Sequence, residues 1–140
     1  LTLSMTRGWN TVFVPTNDNI TRDSIENFCG SVRIFSIESK KLIIENGLYG
    51  GDSYLVRTER QCSLKLNKTR ATQDSIEIGE GWNIAGTQTE ITYSDIASVC
   101  GSIQIFTINK GRLISVKDGD ILRKDNAYLI RSGSDCTYSF

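Results

Sequence analysis

Histidine is absent from all 140 residues. That removes Ser-His-Asp and Cys-His catalysis, imidazole general bases and the commonest zinc ligand. A single proline leaves the turns to Gly, Asn, Asp and Ser. Neither sign of charge is in excess: 16 Lys and Arg stand against 16 Asp and Glu, and no stretch is strongly basic. The chain therefore lacks the electrostatic footprint of nucleic-acid or anionic-membrane binding, and no nucleic-acid partner is expected. No apolar run approaches the roughly 18 residues of a membrane-spanning helix. Dense acidic clusters are missing too. The segment Asp118-Gly119-Asp120 lacks the alternating aspartates and distal glutamate of a calcium loop and reads as a turn. No metal, cofactor or catalytic residue is expected, because no acid/base pair recurs at matched positions.

What is present occurs twice. Gly8-Trp9-Asn10 returns as Gly81-Trp82-Asn83, and the run Cys29 to Ile37 returns as Cys100 to Ile108. Tyr54-Leu55-Val56-Arg57 returns as Tyr128-Leu129-Ile130-Arg131, and the closing segment from Cys62 returns from Cys136. The offsets of 73, 71 and 74 residues keep the order with only small insertions. The chain is thus an internal duplication. It divides into a first module over 1–66, a polar linker over 67–74 and a second module over 75–140.

A unit this small buries only about 60% of its unfolded surface, and needs a staple. Four cysteines allow three pairings, and the duplication selects Cys29 with Cys62 and Cys100 with Cys136. Bridges closing loops of 33 and 36 residues would each contribute roughly 3.5–4 kcal/mol on the chain-entropy model. The alternative is four buried free thiols in a reducing compartment. Disulfides imply an extracellular or otherwise oxidising location. The start at Leu1, as in a processed protein, and two N-glycosylation sequons at Asn19 and Asn67 point the same way.

Along each unit the apolar period is that of strands. Leu1, Leu3 and Met5 alternate with polar residues, as Ile76 and Ile78 do. A turn glycine follows, then a second strand through Trp9 or Trp82; these first two strands are expected to form a hairpin or bent ribbon. Next comes a short helix, N-capped by Thr21 or Thr92 and closed by Gly30 or Gly101. Its stripe of Ile25, Phe28 and Cys29, or Ile96, Val99 and Cys100, should face the core. A β-branched hairpin, a glycine-bearing loop and two further strands complete the unit. The expected fold is α+β and strand-rich: two tandem copies of a small antiparallel sheet or partial barrel, each with one short helix, paired about a pseudo-two-fold axis.

These residues carry a resemblance. Leu3, Met5, Gly8, Trp9, Asn10, Gly51 and Tyr54, with Ile76, Ile78, Gly81, Trp82, Asn83 and Tyr128, resemble the Gly-Trp-Asn-containing repeat module of archaeal and bacterial secreted cell-surface proteins, of the surface-layer or adhesin-like kind. The second copy departs from that pattern with Asp125 in place of Gly51. Ser53 and Ala127 replace its glycine, and Leu55 and Leu129 its tryptophan. The resemblance implies a repeated structural or adhesive module without chemistry of its own.

Other side chains admit two uses. Trp9, Trp82, Tyr54 and Tyr128 are expected in the core, or else as stacking platforms for sugars. Arg57 and Arg131 are outward strand residues, or a clamp for a carboxylate or sugar acid. The strand of Leu1, Leu3 and Met5 pairs within its module or completes a sheet in a neighbouring subunit. The expected function is that of an extracellular, non-catalytic structural protein: a subunit of a filament, pilus or surface layer that associates with itself or with other surface proteins. The alternative is a secreted binding module, either a glycan-binding adhesin or lectin-like domain or an enzyme inhibitor.

Overall fold

The computed structural model describes residues 1–140. The first copy runs β1 (Thr2–Met5), β2 (Gly8–Phe13), β3 (Asn19–Thr21), α1 (Arg22–Cys29), β4 (Val32–Glu38), β5 (Lys41–Ile44), β6 (Gly47–Tyr49), β7 (Ser53–Thr58) and β8 (Cys62–Lys65). The second repeats that order: β9 (Ser75–Ile78), β10 (Gly81–Gly86), β11 (Ile91–Thr92), α2 (Tyr93–Cys100), β12 (Ile103–Asn109), β13 (Arg112–Val116), β14 (Ile121–Leu122), β15 (Ala127–Ser132) and β16 (Cys136–Ser139). The strand-rich α+β duplication is therefore present, as two similar groups of small antiparallel sheets.

Each group holds one four-stranded sheet, ordered β2-β7-β4-β5 or β10-β15-β12-β13, and two-stranded ribbons. The first strand does not form a hairpin with the second. β1 pairs instead with β8, Met5 opposite Cys62, and β9 pairs with β16, Ile78 opposite Cys136. The reason is the turn between them. Gly8 and Gly81 adopt φ of 95° and 92°, a region that costs a residue with a Cβ but not glycine. The chain bends there out of the ribbon and into the larger sheet. Leu3 and Met5 thus lie buried in their own module, which corrects the alternative of a strand lent to a neighbour.

Alternation along the strands sends one face of each sheet into a core. Met5, Ile25, Val32, Ile34, Leu48 and Val56 build the first core. Ile78, Ile96, Ile103, Ile105, Leu122 and Ile130 hold the same places in the second. Each side chain of this size contributes about 1.5–3 kcal/mol on burial. The helices close the cores. Thr21 accepts from the Ser24 amide, and Thr92 and Asp95 form a reciprocal capping box. Only Ile25 and Cys29, or Ile96 and Cys100, point inward. Phe28 and Val99 are exposed, because a helix of eight residues lays a single narrow line against the sheet. The disulfides Cys29–Cys62 and Cys100–Cys136 tie each helix end to the closing strand.

The opposite faces of the two large sheets pack on each other. β10 rests on β7 and β4, while β2 rests on β15 and β12. This reciprocity is that of a two-fold interface within one chain. At its centre β2 meets β10, where Phe13, 1% exposed, lies directly on Gly86. The linker is clamped as well. The Ala71 backbone N–H donates to the Pro15 carbonyl at 3.0 Å, and the side-chain Nε2 of Gln88 donates to the carbonyls of Pro15 (3.3 Å) and Ala71 (2.6 Å).

Candidate functional site

The Gly-Trp-Asn turn divides its work among its three residues. Glycine supplies the bend. Asn10 then fills its hydrogen-bonding capacity locally: its amide nitrogen donates to the Thr6, Gly8 and Val56 carbonyls at 2.9, 3.0 and 3.3 Å, and its oxygen accepts from the Thr6 amide. Asn83 repeats the arrangement on Gly79, Gly81 and Ile130. One buried side chain thereby fixes the bend and anchors it to the next strand. The tryptophans do not occupy the cores, contrary to expectation. They lie on the other face of the sheet, 38% and 42% exposed, tilted against Phe35 and Phe106 at 5.9 and 5.8 Å. Strand parity forces this: Asn10 must face inward to reach Val56, so its neighbour Trp9 must face outward.

The tyrosines are placed the other way. Tyr54 and Tyr128 are buried, and each hydroxyl accepts a backbone N–H five residues upstream, from Tyr49 at 3.0 Å and Arg123 at 2.6 Å. Burial pushes the Tyr54 phenol up to about 12. A buried ring with an occupied hydroxyl offers no platform to a ligand, which corrects that use of both residues.

The outward face carries one row that differs between copies. Trp9 stands opposite Arg57, and Arg57 opposite Arg33, all on one side of the sheet. Like charges directly opposite are unfavourable, so this pair has a cost. Arg7 joins them around a recess of about 260 Å³, with Ser31, Thr58 and Glu59 completing the wall. None of the three guanidiniums has an ion-pair partner; the chain's ion pairs are Arg22–Glu26, Lys40–Glu80 and Arg70–Asp125. The Glu59 carboxylate lies over Gly30 at the helix end. In the second copy the row reads Trp82, Arg131, Gln104, and Glu80 stands for Arg7. Glu80 meets Lys40 from the other module at 3.8 Å. The positive recess therefore exists once. Arg7 and Arg33 escape a sequence reading that follows duplicated residues, since their signal is a mismatch.

No family model, curated protein or solved structure matches this chain. Function must be read from the surface itself.

A larger groove, about 630 Å³, runs between the modules past Thr6, Asn10 and Thr11 on one side and Lys110, Asp120 and Tyr128 on the other. Much of its polar lining is already committed to internal bonds, Asn10 and Tyr128 among it. The carboxylates of the second module are dispersed: Asp118 accepts from Ser94, Asp120 from the Lys117 amide, and Asp125 holds Arg70. No three acidic or sulfur side chains converge as a metal site. Both sequon asparagines lie at the surface, Asn19 in β3 and Asn67 in the linker. Arg57 and Arg131 are exposed on their strands.

A second surface feature is shared by both copies. β5 and β13 each form one edge of a large sheet, with β2 and β10 at the opposite edge. They carry Leu42, Ile43 and Ile44, and Leu113 and Ile114, all exposed, with Ile44 reaching 73%. No helix in the structure is long and apolar enough to cross a membrane.

Proposed function

We propose that this chain is an extracellular structural subunit that assembles with further copies of itself on a cell surface, in a filament, pilus or layer. The observation that carries this reading is the pair of bare apolar edges. An unpaired strand with an exposed hydrophobic face is a template for another chain, and monomeric proteins usually blunt such edges with charge, proline or bulges. Here both are open, and each molecule has two of them. A subunit with two adhesive edges takes two neighbours, so association continues instead of stopping at a pair.

The sequences of the edges suit one another. Set antiparallel, β13 of one copy against β5 of the next places Ile114 opposite Ile43, Leu113 opposite Ile44 and Arg112 opposite Glu45. Apolar side chains then meet on both faces, and one pair of opposite charges fixes the register. The disulfides fit a protein of an oxidising, secreted environment. Likeness to Gly-Trp-Asn surface repeats supports the same assignment.

Light scattering over a concentration series, with negative-stain microscopy, tests it. Mass should rise continuously with concentration, and Ile44→Lys or Ile114→Lys should each arrest growth at small oligomers. Both residues are exposed, so the fold should survive, as circular dichroism would check. A wild-type protein that stays monomeric at high concentration overturns the proposal.

A further inference from the structure

We infer that the recess of Arg7, Arg33 and Arg57 in the first module is a binding site for an acidic sugar chain, with Trp9 as its stacking platform. Three guanidiniums line the recess, none of them in an ion pair although the Glu59 carboxylate shares the wall over Gly30, and two of them stand directly opposite one another on neighbouring strands. A fold has no reason of its own to keep such a pair: the second copy closes the same sheet with Gln104 in place of Arg33. The repulsion is relieved when an anion sits between the guanidiniums. Their planar forks suit carboxylate or sulfate oxygens through paired hydrogen bonds. Ser31 adds an exposed hydroxyl at the rim, whereas the Thr58 hydroxyl is buried and donates to the Thr6 carbonyl at 2.8 Å.

Trp9 decides what carries the anion. Its ring stands next to Arg57 in the same cross-strand row, propped by Phe35 and 38% exposed. An exposed indole beside a cationic pocket presents an apolar face to a pyranose ring while the arginines take the acidic substituent. A nucleic acid fits poorly, because the chain is neutral overall and no stretch of it is strongly basic. The site stands whether or not the chains assemble.

Isothermal titration with three probes tests it: a galacturonic-acid oligomer, a heparin-derived oligosaccharide and a neutral glucan oligomer of equal length. At least one acidic oligomer should bind and the neutral one should not; which acidic oligomer binds separates carboxylate from sulfate recognition. Arg33→Gln, which copies the second module, should weaken binding tenfold or more, and Arg131→Gln should leave it unchanged. Trp9→Leu should weaken it severalfold with the fold intact by circular dichroism. Binding of neither acidic oligomer, equal loss on Arg131→Gln, or no loss on Arg33→Gln overturns the site. Inorganic sulfate binding as tightly as the oligomers, or full affinity in Trp9→Leu, overturns its assignment to a sugar.

Discussion

The two modules use the same residues to fold and different residues to meet the outside. At matched positions both have the turn glycine, the bend-fixing asparagine, the buried tyrosine and the disulfide. They part at a few places. Phe13 matches Gly86, and these two residues touch. Near a two-fold axis, equivalent positions come together. Two phenylalanines would collide there and two glycines would leave a void, so one knob and one hole is the solution that packs. Gly51 matches Asp125, and both have positive φ, 84° and 65°. Aspartate tolerates that backbone better than most residues, and here its carboxylate also grips Arg70 of the linker at 2.8 and 3.0 Å. Arg7 and Arg33 match Glu80 and Gln104. Identity between the copies marks the fold; difference marks their contact and their surface chemistry.

Breaking the central asymmetry should have the largest effect. Phe13→Ala should cost about 3–5 kcal/mol in urea unfolding. Gly86→Phe should be worse, since a side chain there runs into Phe13. The exchange Phe13→Gly with Gly86→Phe should recover much of the loss, because the reciprocal contacts present nearly the same surroundings from either side. No recovery would show that the two sides of the interface are not equivalent.

Removing one bridge at a time sharpens the comparison further. Cys29→Ala with Cys62→Ala, and Cys100→Ala with Cys136→Ala, should each lose roughly 3.5–4 kcal/mol by the loop-entropy argument. Loops of 33 and 36 residues differ too little to separate them. Any large difference in unfolding midpoints therefore measures how unevenly the shared interface supports the two halves.

A smaller change is expected from Asp125→Asn. It keeps a residue suited to positive φ and loses only the ion pair, so the cost should be at most about 1 kcal/mol. Added salt should shrink that cost in the same unfolding experiment.

The smallest effect concerns Asp52, which matches Asn126. Desolvation by the surrounding chain, with the Glu45 charge, holds its carboxyl above the usual carboxylate range although the residue reaches the surface. A carboxyl raised on folding binds its proton more tightly in the native state. Its contribution is therefore greatest below the unfolded pKa and is lost as pH rises through the folded one. Asp52→Asn should gain a few tenths of a kcal/mol at neutral pH. That gain should vanish below about pH 4, the unfolded carboxylate range. A pH series of thermal melts would show the crossover.

How much of this was legible depended on range along the chain. The helix caps Thr21 and Thr92, the capping glycines and the cysteine pairing were readable, because each rests on local spacing or on exact duplication. The pairing of β1 with β8 was not, since it joins residues some 60 positions apart and depends on a bend at Gly8 that a hairpin would also use. The outward face of the tryptophans is hidden in the sequence for a related reason. An aromatic residue in an alternating strand names no face until its neighbour's partner is known, and that partner is the distant Val56 carbonyl. The arginine recess left only a faint sign, a basic residue at Arg33 where its repeat has Gln104.

By itself the sequence determined that there are two similar strand-rich units, which residues cap their helices and which sulfurs join. Those features follow from periodicity and repetition, and both survive in one dimension. The tertiary structure alone decided which face of each sheet is buried in a module and which is buried between modules. It also set Phe13 against Gly86 and gathered three arginines around a single recess. These depend on cross-strand register and on the packing of two sheets, and no pattern along one chain encodes the neighbours that another segment will bring.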